Sequence, residues 1–480
     1  MKNINKYIRL FAIPFCAMAI IMVSCKDDET YPESPDLTYV KEVSIVVGSV
    51  TGGDTTIYGK VDEINKEITF PKLDKLVNLS NVKFNGELPT GASFDKETYD
   101  FTVDTAGGAT QSRQIVSIVN GKRKREYYAT IRLKVPAFGA DISQIKKYDF
   151  SSYSDLSGAN TRNLDMDTVH VLVVARISNS EGKPHLLKIS DLKAGYVNPI
   201  MLDQTGISGG TFTVSSGHLS HGHIYAVNLA GAAGELKIYH WESPDAVPTV
   251  VFQKTPSDFG FTAGRYGDDM SMDLDENGNG FIYLGNNEAV PTSAGFLQIQ
   301  VTGFTTLGDP VRFIASASGG MWRNYNLVDN AIDEYLHTGP SGPIVLSGTS
   351  GSPIYQMADN GNIFTRAADA HIVTYNEKRY LGLTTGNPGG TGEENAIYIY
   401  DITKGSTTKE ALELFDAGNK SYEYKLTLSG GGNSGVYCAS FAFAKAEKAL
   451  YVLGGAPYGA GFVVLEIPKA TDIDNFYDEE

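Results

Sequence analysis

The densest group of histidines in this sequence lies between residues 218 and 223. His218, His221 and His223 are three of the eight histidines in the chain, and imidazoles this close together could bind zinc or serve as a general base. No pattern of cysteines or carboxylates beside them completes a metal site. Two of them flank an expected hairpin turn. They are candidates for catalysis, with a purely structural role in the hairpin as the alternative.

A second group of potential ligands begins at Asp273. Asp273, Asp275 and Asn277 match the first odd positions of a calcium-binding EF-hand loop. The twelfth position of such a loop carries glutamate, but here it is Leu284, in a predicted strand. Asp and Asn residues in this context also form tight turns, through bonds from side chain to backbone. We therefore weigh a metal site against a hairpin turn.

The sequence lacks the motifs of the common catalytic and cofactor-binding families. It contains no G-x-S-x-G, H-E-x-x-H, phosphate-binding loop or dinucleotide fingerprint, so no cofactor is expected. Its charge is strongly acidic. Removing the three cations of the N-terminal 24 residues from the 40 Lys+Arg leaves 37 against 56 Asp+Glu, a formal charge of −19. Such a chain repels polyanions, so no nucleic acid is expected as a partner.

Six apolar strand patterns recur along the C-terminal part of the chain. They are HVLVVARI (170–177), HIYAVNLA (223–230), FIYLGN (281–286), EYLHTG (334–339), RYLGLT (379–384) and LYVLGG (450–455). Successive patterns begin about 45 to 70 residues apart, close to the repeat of a four-stranded β-propeller blade. We predict a propeller of six blades, or seven, over residues 138–480. QIKKYDF (144–150) could supply the outer strand that closes the ring. A solenoid or two sandwiches are the alternative architectures.

Residues 39–136 form a separate unit of short strands. Val43, Ile45 and Val47 alternate along the first strand, as a half-buried strand requires, and Asn120-Gly121 is a strong hairpin signal. This pattern predicts an Ig-like β-sandwich that serves as a spacer. The basic run 122–125 falls in the hairpin and is expected to be solvated. The whole protein is thus predicted to be all-β, in keeping with its 51 glycines and 27 tyrosines.

Arginines and aromatic residues recur in the loops that lead into the first strand of each predicted blade. In a propeller these loops open around a central funnel, where guanidinium groups could bind carboxylates or sulfates and rings could stack on sugars. The candidate ligand-binding residues are Arg162, Arg265, Tyr266, Trp322, Arg323, Tyr325 and Arg366. The alternatives are ordinary ring packing within blades and pairing of each arginine with a nearby acid. Such acids are Asp165, Asp268, Asp269 and Asp369.

Residues 1–24 have the pattern of a secretory signal peptide. A basic stretch precedes the apolar residues 10–23, and Ser24 stands directly before Cys25. Residues 25–38 are polar and contain proline, so they have nothing to bury and are predicted to form a flexible tether.

The Ser24-Cys25 step resembles the lipobox of bacterial lipoproteins, in which the cysteine is acylated. Several acyl chains on one cysteine hold a protein firmly in a membrane. The run Lys26-Asp27-Asp28-Glu29 resembles the signal that exports Bacteroidetes lipoproteins to the cell surface. The chain as a whole resembles Bacteroidetes surface lipoproteins with an Ig-like domain and an uncharacterised propeller. The resemblance implies an outer-membrane location and nutrient capture, and it carries no catalytic residues. A plain signal peptide and a periplasmic location are the alternatives.

We therefore expect a lipid-anchored, surface-exposed protein that captures a glycan or another extracellular ligand through the propeller funnel. The arginines would allow that glycan to be acidic. The membrane is expected as a partner only through the anchor, and an enzyme is not the favoured interpretation. The alternatives are a polysaccharide lyase or glycosidase, and an interaction scaffold with an outer-membrane protein partner.

Overall fold

The computed structural model describes most of the chain from residue 35 onward. The described residues are 35–49, 53–74, 77–104, 109–134, 137–153, 161–176, 182–288, 295–314, 324–339, 342–358, 367–386, 395–428, 439–455 and 461–471. They fall into two compact units, one up to residue 134 and the other from residue 137 to 471. The predicted signal peptide, Cys25 and most of the predicted tether lie outside the described residues.

The N-terminal unit consists of seven strands after one helical turn. The elements are Pro35–Thr38 (α1), Glu42–Ser49 (β1), Asp54–Asp62 (β2), Glu67–Thr69 (β3), Val77–Glu87 (β4), Ser93–Phe94 (β5), Gln111–Asn120 (β6) and Arg123–Arg132 (β7). Hydrogen bonds join the strands in the order β4-β1-β2-β3-β7-β6-β5, and the β3–β7 pair is parallel. The unit is all-β as predicted. An Ig-like sandwich has two antiparallel sheets, so this finer assignment stays a prediction.

The core of this unit follows from strand alternation. Val43, Ile45 and Val47 are buried as predicted, because every second side chain of a strand faces the same side. They belong to one hydrophobic cluster that also holds Phe84. The ring centroid of Phe84 lies 5.1 to 5.9 Å from those of four other aromatic residues, which are Phe70, Phe94, Tyr99 and Phe101.

The hairpin predicted at Asn120-Gly121 is confirmed, since β6 and β7 pair up to Asn120 opposite Arg123. The prediction of a solvated basic run is wrong at Arg125. Its side chain is only 3% exposed, and its Nη1 lies 3.0 Å from Oε2 of Glu63. The alternation of β7 turns this position inward, where Tyr127 donates a second hydrogen bond to the same carboxylate.

The second unit is a propeller of six sheets, each of which forms one blade. The first blade comprises Thr161–Met166 (β9), His170–Arg176 (β10), Gly182–Lys188 (β11) and Ile200–Met201 (β12). The second comprises Phe212–Ser220 (β13), His223–Gly231 (β14), Leu236–Trp241 (β15) and Thr249–Lys254 (β16), with Arg265–Tyr266 (β17) paired to β14. The third comprises Ser271–Leu274 (β18), Gly280–Gly285 (β19), Gly295–Thr302 (β20), Thr306–Leu307 (β21) and Val311–Ile314 (β22).

The remaining three blades follow in chain order. The fourth comprises Asn324–Leu327 (β23), Glu334–Thr338 (β24), Val345–Gly348 (β25) and Pro353–Gln356 (β26). The fifth comprises Ala367–Tyr375 (β27), Lys378–Thr385 (β28), Ala396–Asp401 (β29) and Tyr424–Thr427 (β30). The sixth comprises Ser440–Lys445 (β31), Ala449–Gly455 (β32) and Phe462–Pro468 (β33), and Lys146–Phe150 (β8) completes it.

The six predicted strand patterns are the second strands of the six blades. The described residues of the propeller therefore form six blades and not seven. The predicted closure is confirmed as well. β8 pairs antiparallel with β33, with Phe150 opposite Phe462, so the start of the unit supplies the outer strand of its last blade.

Continuous apolar runs arise because each sheet is buried on both faces. Along β10, Val171 and Val173 pack in a cluster shared with the sixth blade. The alternate residues Leu172 and Val174 pack in a cluster shared with the second blade. Four further clusters join the other neighbouring blades. This arrangement closes the ring of hydrophobic contacts.

Helices are few and short in the described part of the propeller. They are Ile189–Lys193 (α2) and Thr408–Ala417 (α3), with 3-10 turns at Ile142–Gln144 and Pro256–Phe259. Among the described residues, none of the helices has the length and apolar character needed to cross a membrane.

Candidate ligand site on the propeller axis

The first strands of the six blades carry polar residues that are bonded from blade to blade. These inner strands are β9, β13, β18, β23, β27 and β31, and consecutive ones lie in contact. Buried or half-buried polar residues on these strands or shortly before them include Asn163, Asp165, Ser216, His218, Asp269, Ser271, Asn324, Asn326, Asp369, His371 and Ser440. We call this set the polar axis. Buried polar groups need partners, and here many of the partners belong to another blade.

Asp369 connects three blades on one side of the polar axis. Its Oδ1 accepts a 2.8 Å hydrogen bond from Nδ2 of Asn326, and its Oδ2 accepts a 2.8 Å bond from the backbone N–H of Phe441. Nε2 of His371 lies 3.4 Å from the same Oδ1. The carboxylate thus holds the fourth, fifth and sixth blades together.

Asp269 and Asp165 play the same part on the other side. Oδ1 of Asp269 accepts hydrogen bonds from Asn163 at 3.2 Å and from Ser216 at 3.4 Å, which connects the first three blades. Oδ2 of Asp165 accepts a 2.7 Å bond from the backbone N–H of Leu219.

The electrostatics of the polar axis are dominated by buried carboxylates. Burial raises the pKa of Asp165 and of Asp269, and the nearby Asp369 raises that of Asp269 further. Burial disfavours the charged form of His371. The carboxylates of Asp369, Asp165 and Asp269 outweigh that effect and hold the pKa of His371 above its ordinary value. The polar axis therefore retains protons and favours a cationic His371.

A cavity of about 670 Å³ opens where the inner strands end and turn into the second strands. We call it the axial cavity. Five of the six inner strands or the turns after them contribute to its lining, with Ser220, Asp273, Leu327, His371, Phe443 and Lys445 among the residues. It lies at the C-terminal ends of the inner strands, whereas the funnel predicted from the sequence lies at their N-terminal ends.

One wall of the axial cavity contains a buried carboxyl group. Oδ2 of Asp273 accepts a 2.7 Å hydrogen bond from the hydroxyl of Tyr335, and its Oδ1 accepts one from the backbone N–H of Phe281. Burial raises the pKa of Asp273 to about 7 despite these bonds. This carboxyl can therefore donate or accept hydrogen bonds near neutral pH.

The lining of the axial cavity also contains an ion pair. Nζ of Lys445 lies 2.5 Å from Oδ1 of Asp329, and Oδ2 of Asp329 accepts a hydrogen bond from the backbone N–H of Thr374. Nonpolar surface surrounds these groups. Phe281 and Phe443 are partly buried, and Ile332 at the rim is 92% exposed.

The acidic run after Asp273 forms a turn. Oδ1 of Asp275 accepts 2.8 Å hydrogen bonds from the backbone N–H groups of Asn277 and Asn279. Gly278 has a φ of +74° and approaches Phe304 closely, a conformation that favours glycine. The predicted hairpin turn is therefore present between β18 and β19. Within the described ranges, no group of three or more His, Cys, Asp or Glu residues is arranged to hold a metal.

The three candidate histidines do not converge on one site. Nδ1 of His218 lies 3.1 Å from Oδ2 of Asp165 in the polar axis. His221 is in the turn, with Nε2 3.0 Å from the carbonyl oxygen of Leu274. His223 points elsewhere, toward His240 of the second blade and Phe304 of the third. The hypothesis of one catalytic or zinc site shared by these residues is therefore wrong, because each imidazole is held by a different partner.

His223 belongs to a stack of rings between the second and third blades. Its Nδ1 lies 2.8 Å from Nε2 of His240, and its ring stacks on Phe304 at a centroid distance of 4.0 Å. Burial lowers the pKa of His240 to about 4, and the neighbouring His223 contributes to the shift. Both imidazoles are thus favoured in their neutral forms, which allows one to donate to the other.

Among the predicted funnel residues, Arg265 is paired with an acid. Its Nε lies 2.7 Å and its Nη2 3.0 Å from the two carboxylate oxygens of Asp268. Tyr266 and Tyr325 are 0% and 1% exposed. They pack between neighbouring blades, so the prediction of stacking platforms is wrong at both positions. Trp322, Arg323, Arg366 and the side chain of Arg162 lie outside the described residues, and their roles stay predictions.

The sequence contains a signal for the polar axis, although most of its residues were not among the predicted site residues. Four inner strands carry polar residues two positions apart, with apolar or small residues around them. The pairs are Asn163 and Asp165, Ser216 and His218, Asn324 and Asn326, and Asp369 and His371. A period of two places both members of a pair on one face of a strand, which here is the face that meets the other inner strands.

The sequence model of one protein family matches residues 28–470, which is most of the chain. The chain belongs to the DUF4623 family. This family is described as a domain of unknown function. A DUF4623 protein from Bacteroides eggerthii DSM 20697 has a crystal structure with a TM-score of 0.70 and 33% sequence identity, covering 91% of this chain and 100% of that chain. The two DUF4623 proteins therefore share a fold, and the Bacteroides source agrees with the resemblance to Bacteroidetes proteins.

Other solved structures resemble the DUF4623 chain only weakly. An α-L-arabinofuranosidase of Fusarium graminearum has a TM-score of 0.42 and 10% identity, covering 69% of this chain and 98% of that chain. A mutant Trypanosoma rangeli sialidase has a TM-score of 0.35 and 9% identity, covering 70% and 58%. Similarity at this level carries no argument about function. No curated protein matches the chain.

Proposed function

We propose that this DUF4623 protein binds a glycan in the axial cavity and is held at the cell surface by a lipid anchor. The cavity itself is the observation that carries the proposal. It measures about 670 Å³ and combines nonpolar walls with a few polar groups, which is the usual character of a ligand site. The inner strands around it are fixed by the bonds of the polar axis, so the cavity is preformed.

The lining suits the two faces of a sugar ring. Phe281, Phe443 and the exposed Ile332 offer surface to the C–H groups of a pyranose. The Asp273 carboxyl and the amide of Asn330 also line the cavity and can bond to hydroxyl groups. Contacts of this kind supply affinity through nonpolar burial and orientation through hydrogen bonds.

The experiment is a binding assay on neutral polysaccharides by affinity electrophoresis and calorimetry. It uses the chain from residue 26 onward, which lacks Cys25 and stays soluble. Ile332→Ala is expected to weaken binding at least several-fold. Ile64→Ala is the matched control, since Ile64 is 91% exposed in the N-terminal unit, and it should bind as the unchanged chain does. Equal binding by both variants would contradict the site, and absence of any glycan binding would contradict the function.

The anchor is proposed from the N-terminal residues alone. Acylation of Cys25 would attach the chain to the outer membrane, the acidic run after it would direct surface display, and the N-terminal unit would act as an Ig-like spacer. Labelled palmitate should enter the wild-type protein and not Cys25→Ser. Protease added to intact cells should degrade the wild-type protein. Label in both forms, or complete protection from protease, would contradict this part.

One observation favours a second function, hydrolysis or lyase cleavage of a polysaccharide. His371 lines the axial cavity and lies beside Asp369, an arrangement that can orient an imidazole for proton transfer. Release of reducing ends or unsaturated products from a bound polysaccharide, lost in His371→Gln, would establish the enzyme. If no glycan binds and the protein captures an outer-membrane protein, a role as an interaction scaffold would be favoured.

A further inference from the structure

The charged groups around the axial cavity are unevenly balanced. Its lining contains the acids Asp273, Asp275 and Asp329 and the bases His371 and Lys445. Each base already faces carboxylates. Lys445 is paired with Asp329, and His371 faces the acids of the polar axis. The cationic charge that lines the cavity is therefore compensated within the protein.

The remaining acids are not compensated in this way. No lysine or arginine within the described ranges forms an ion pair with Asp273 or Asp275. Backbone hydrogen bonds from Asn279 and Asn277 lower the pKa of Asp275, so it is anionic at neutral pH. Behind the cavity, Asp165 faces His218 and Asp369 faces His371, so the polar axis offers no free cation either.

We propose that the axial cavity selects glycans without acidic groups and binds amine-bearing sugars more tightly than neutral ones. This inference rests on the glycan-binding function proposed above and names the class of glycan. A carboxylate or sulfate placed beside Asp275 and Asn330 would meet like charge without a free cation to pair with, whereas an ammonium group would meet opposite charge. The expectation of an acidic glycan depended on the arginines at the other end of the inner strands, and Arg265 there is already paired with Asp268.

The test compares matched forms of the same polysaccharide. Dextran, laminarin, mannan and xylan are each used unmodified, with diethylaminoethyl groups and with sulfate groups, at low and at physiological ionic strength. The expected order of affinity is amine-bearing, then neutral, then sulfated, with a difference between successive forms that shrinks as salt is added. A sulfated form that binds as well as its neutral parent would overturn the inference while leaving the function intact. Absence of binding by every form would contradict the function, and this inference with it.

A pair of variants separates the charge of the axial cavity from the net charge of the chain. Ile332→Lys and Ile64→Lys change the net charge equally, and both sites are more than nine-tenths exposed, so neither is expected to disturb folding. Ile332→Lys should raise the affinity for the sulfated form relative to the neutral form about two- to fivefold, the range for an exposed charge pair. Ile64→Lys should leave that ratio unchanged. An equal change in both variants would show that net charge alone sets the preference and would overturn the inference.

Discussion

The two units of the chain treat buried polar groups differently. The N-terminal unit has a continuous nonpolar core centred on Phe84. Its buried charged group, Arg125, forms an ion pair with Glu63. The propeller has equally nonpolar interfaces between its blades, but it also has the polar axis, where Asp165, Asp269 and Asp369 are buried. Burying carboxylates costs stability. Their concentration where the six inner strands meet therefore suggests a role that the N-terminal unit does not share.

The largest loss of stability is expected in the nonpolar core of the N-terminal unit. Phe84→Ala removes a ring that contacts four others, and it should destabilise the N-terminal unit by about 3–5 kcal/mol. Both tryptophans of the chain, Trp241 and Trp322, belong to the propeller sequence. Circular dichroism should therefore show the lower stability of the N-terminal unit. The midpoint of the unfolding transition followed by tryptophan fluorescence should not change. A shift of both transitions would contradict separate cores.

A slightly smaller effect is expected at the polar axis. Asp369→Ala leaves the donors of Asn326 and Phe441 buried without their acceptor, which should cost about 2–4 kcal/mol. Urea unfolding followed by tryptophan fluorescence measures it. Asp369→Asn keeps an acceptor oxygen and is the control, with a smaller loss. If the alanine variant is as stable as the wild type, these bonds do not hold the blades together.

The stability of the propeller should depend on pH because of Asp273. The pKa of Asp273 is raised by burial to about 7, so the folded protein binds this proton more tightly than the unfolded chain does. The stability from this group is complete at low pH and falls as the pH rises from about 4 to about 7. Asp273→Asn cannot ionise. Its stability relative to the wild type should therefore increase over that window, as measured by urea unfolding at pH 4.5, 6 and 8. A difference in stability between the variant and the wild type that does not change with pH would contradict the raised pKa of Asp273.

The smallest loss of stability is expected for a change in the turn beside the axial cavity. Asp275→Ala removes the acceptor for two backbone N–H groups that lie at an exposed site, where water can replace it, so the loss should be about 1 kcal/mol. Added calcium should change the melting temperature of neither the wild type nor the variant. Stabilisation of the wild type alone by calcium would restore the metal site that the turn geometry argues against.

The sequence was most informative where residues are nonpolar on both faces of a strand. β10, β14, β19, β24, β28 and β32 were identified as the repeating unit, because a strand packed between two blades must be apolar throughout. The closing strand β8 was also predicted. The position of the axial cavity was not, because the sequence does not tell which end of an inner strand opens into a cavity. Tyr266 looked like a sugar platform beside Arg265, but its burial depends on packing with Phe261 in the assembled blade.

Hydrogen exchange with a bound polysaccharide tests the central claim most directly. The chain from residue 26 onward is saturated with a neutral polysaccharide selected in the binding assay, and exchange is followed along the whole sequence. We predict slower exchange at the C-terminal ends of the inner strands, in residues 271–281, 327–335 and 371–374. Protection confined to the loops before those strands, around residues 263–266 and 319–323, would contradict the axial cavity as the binding site.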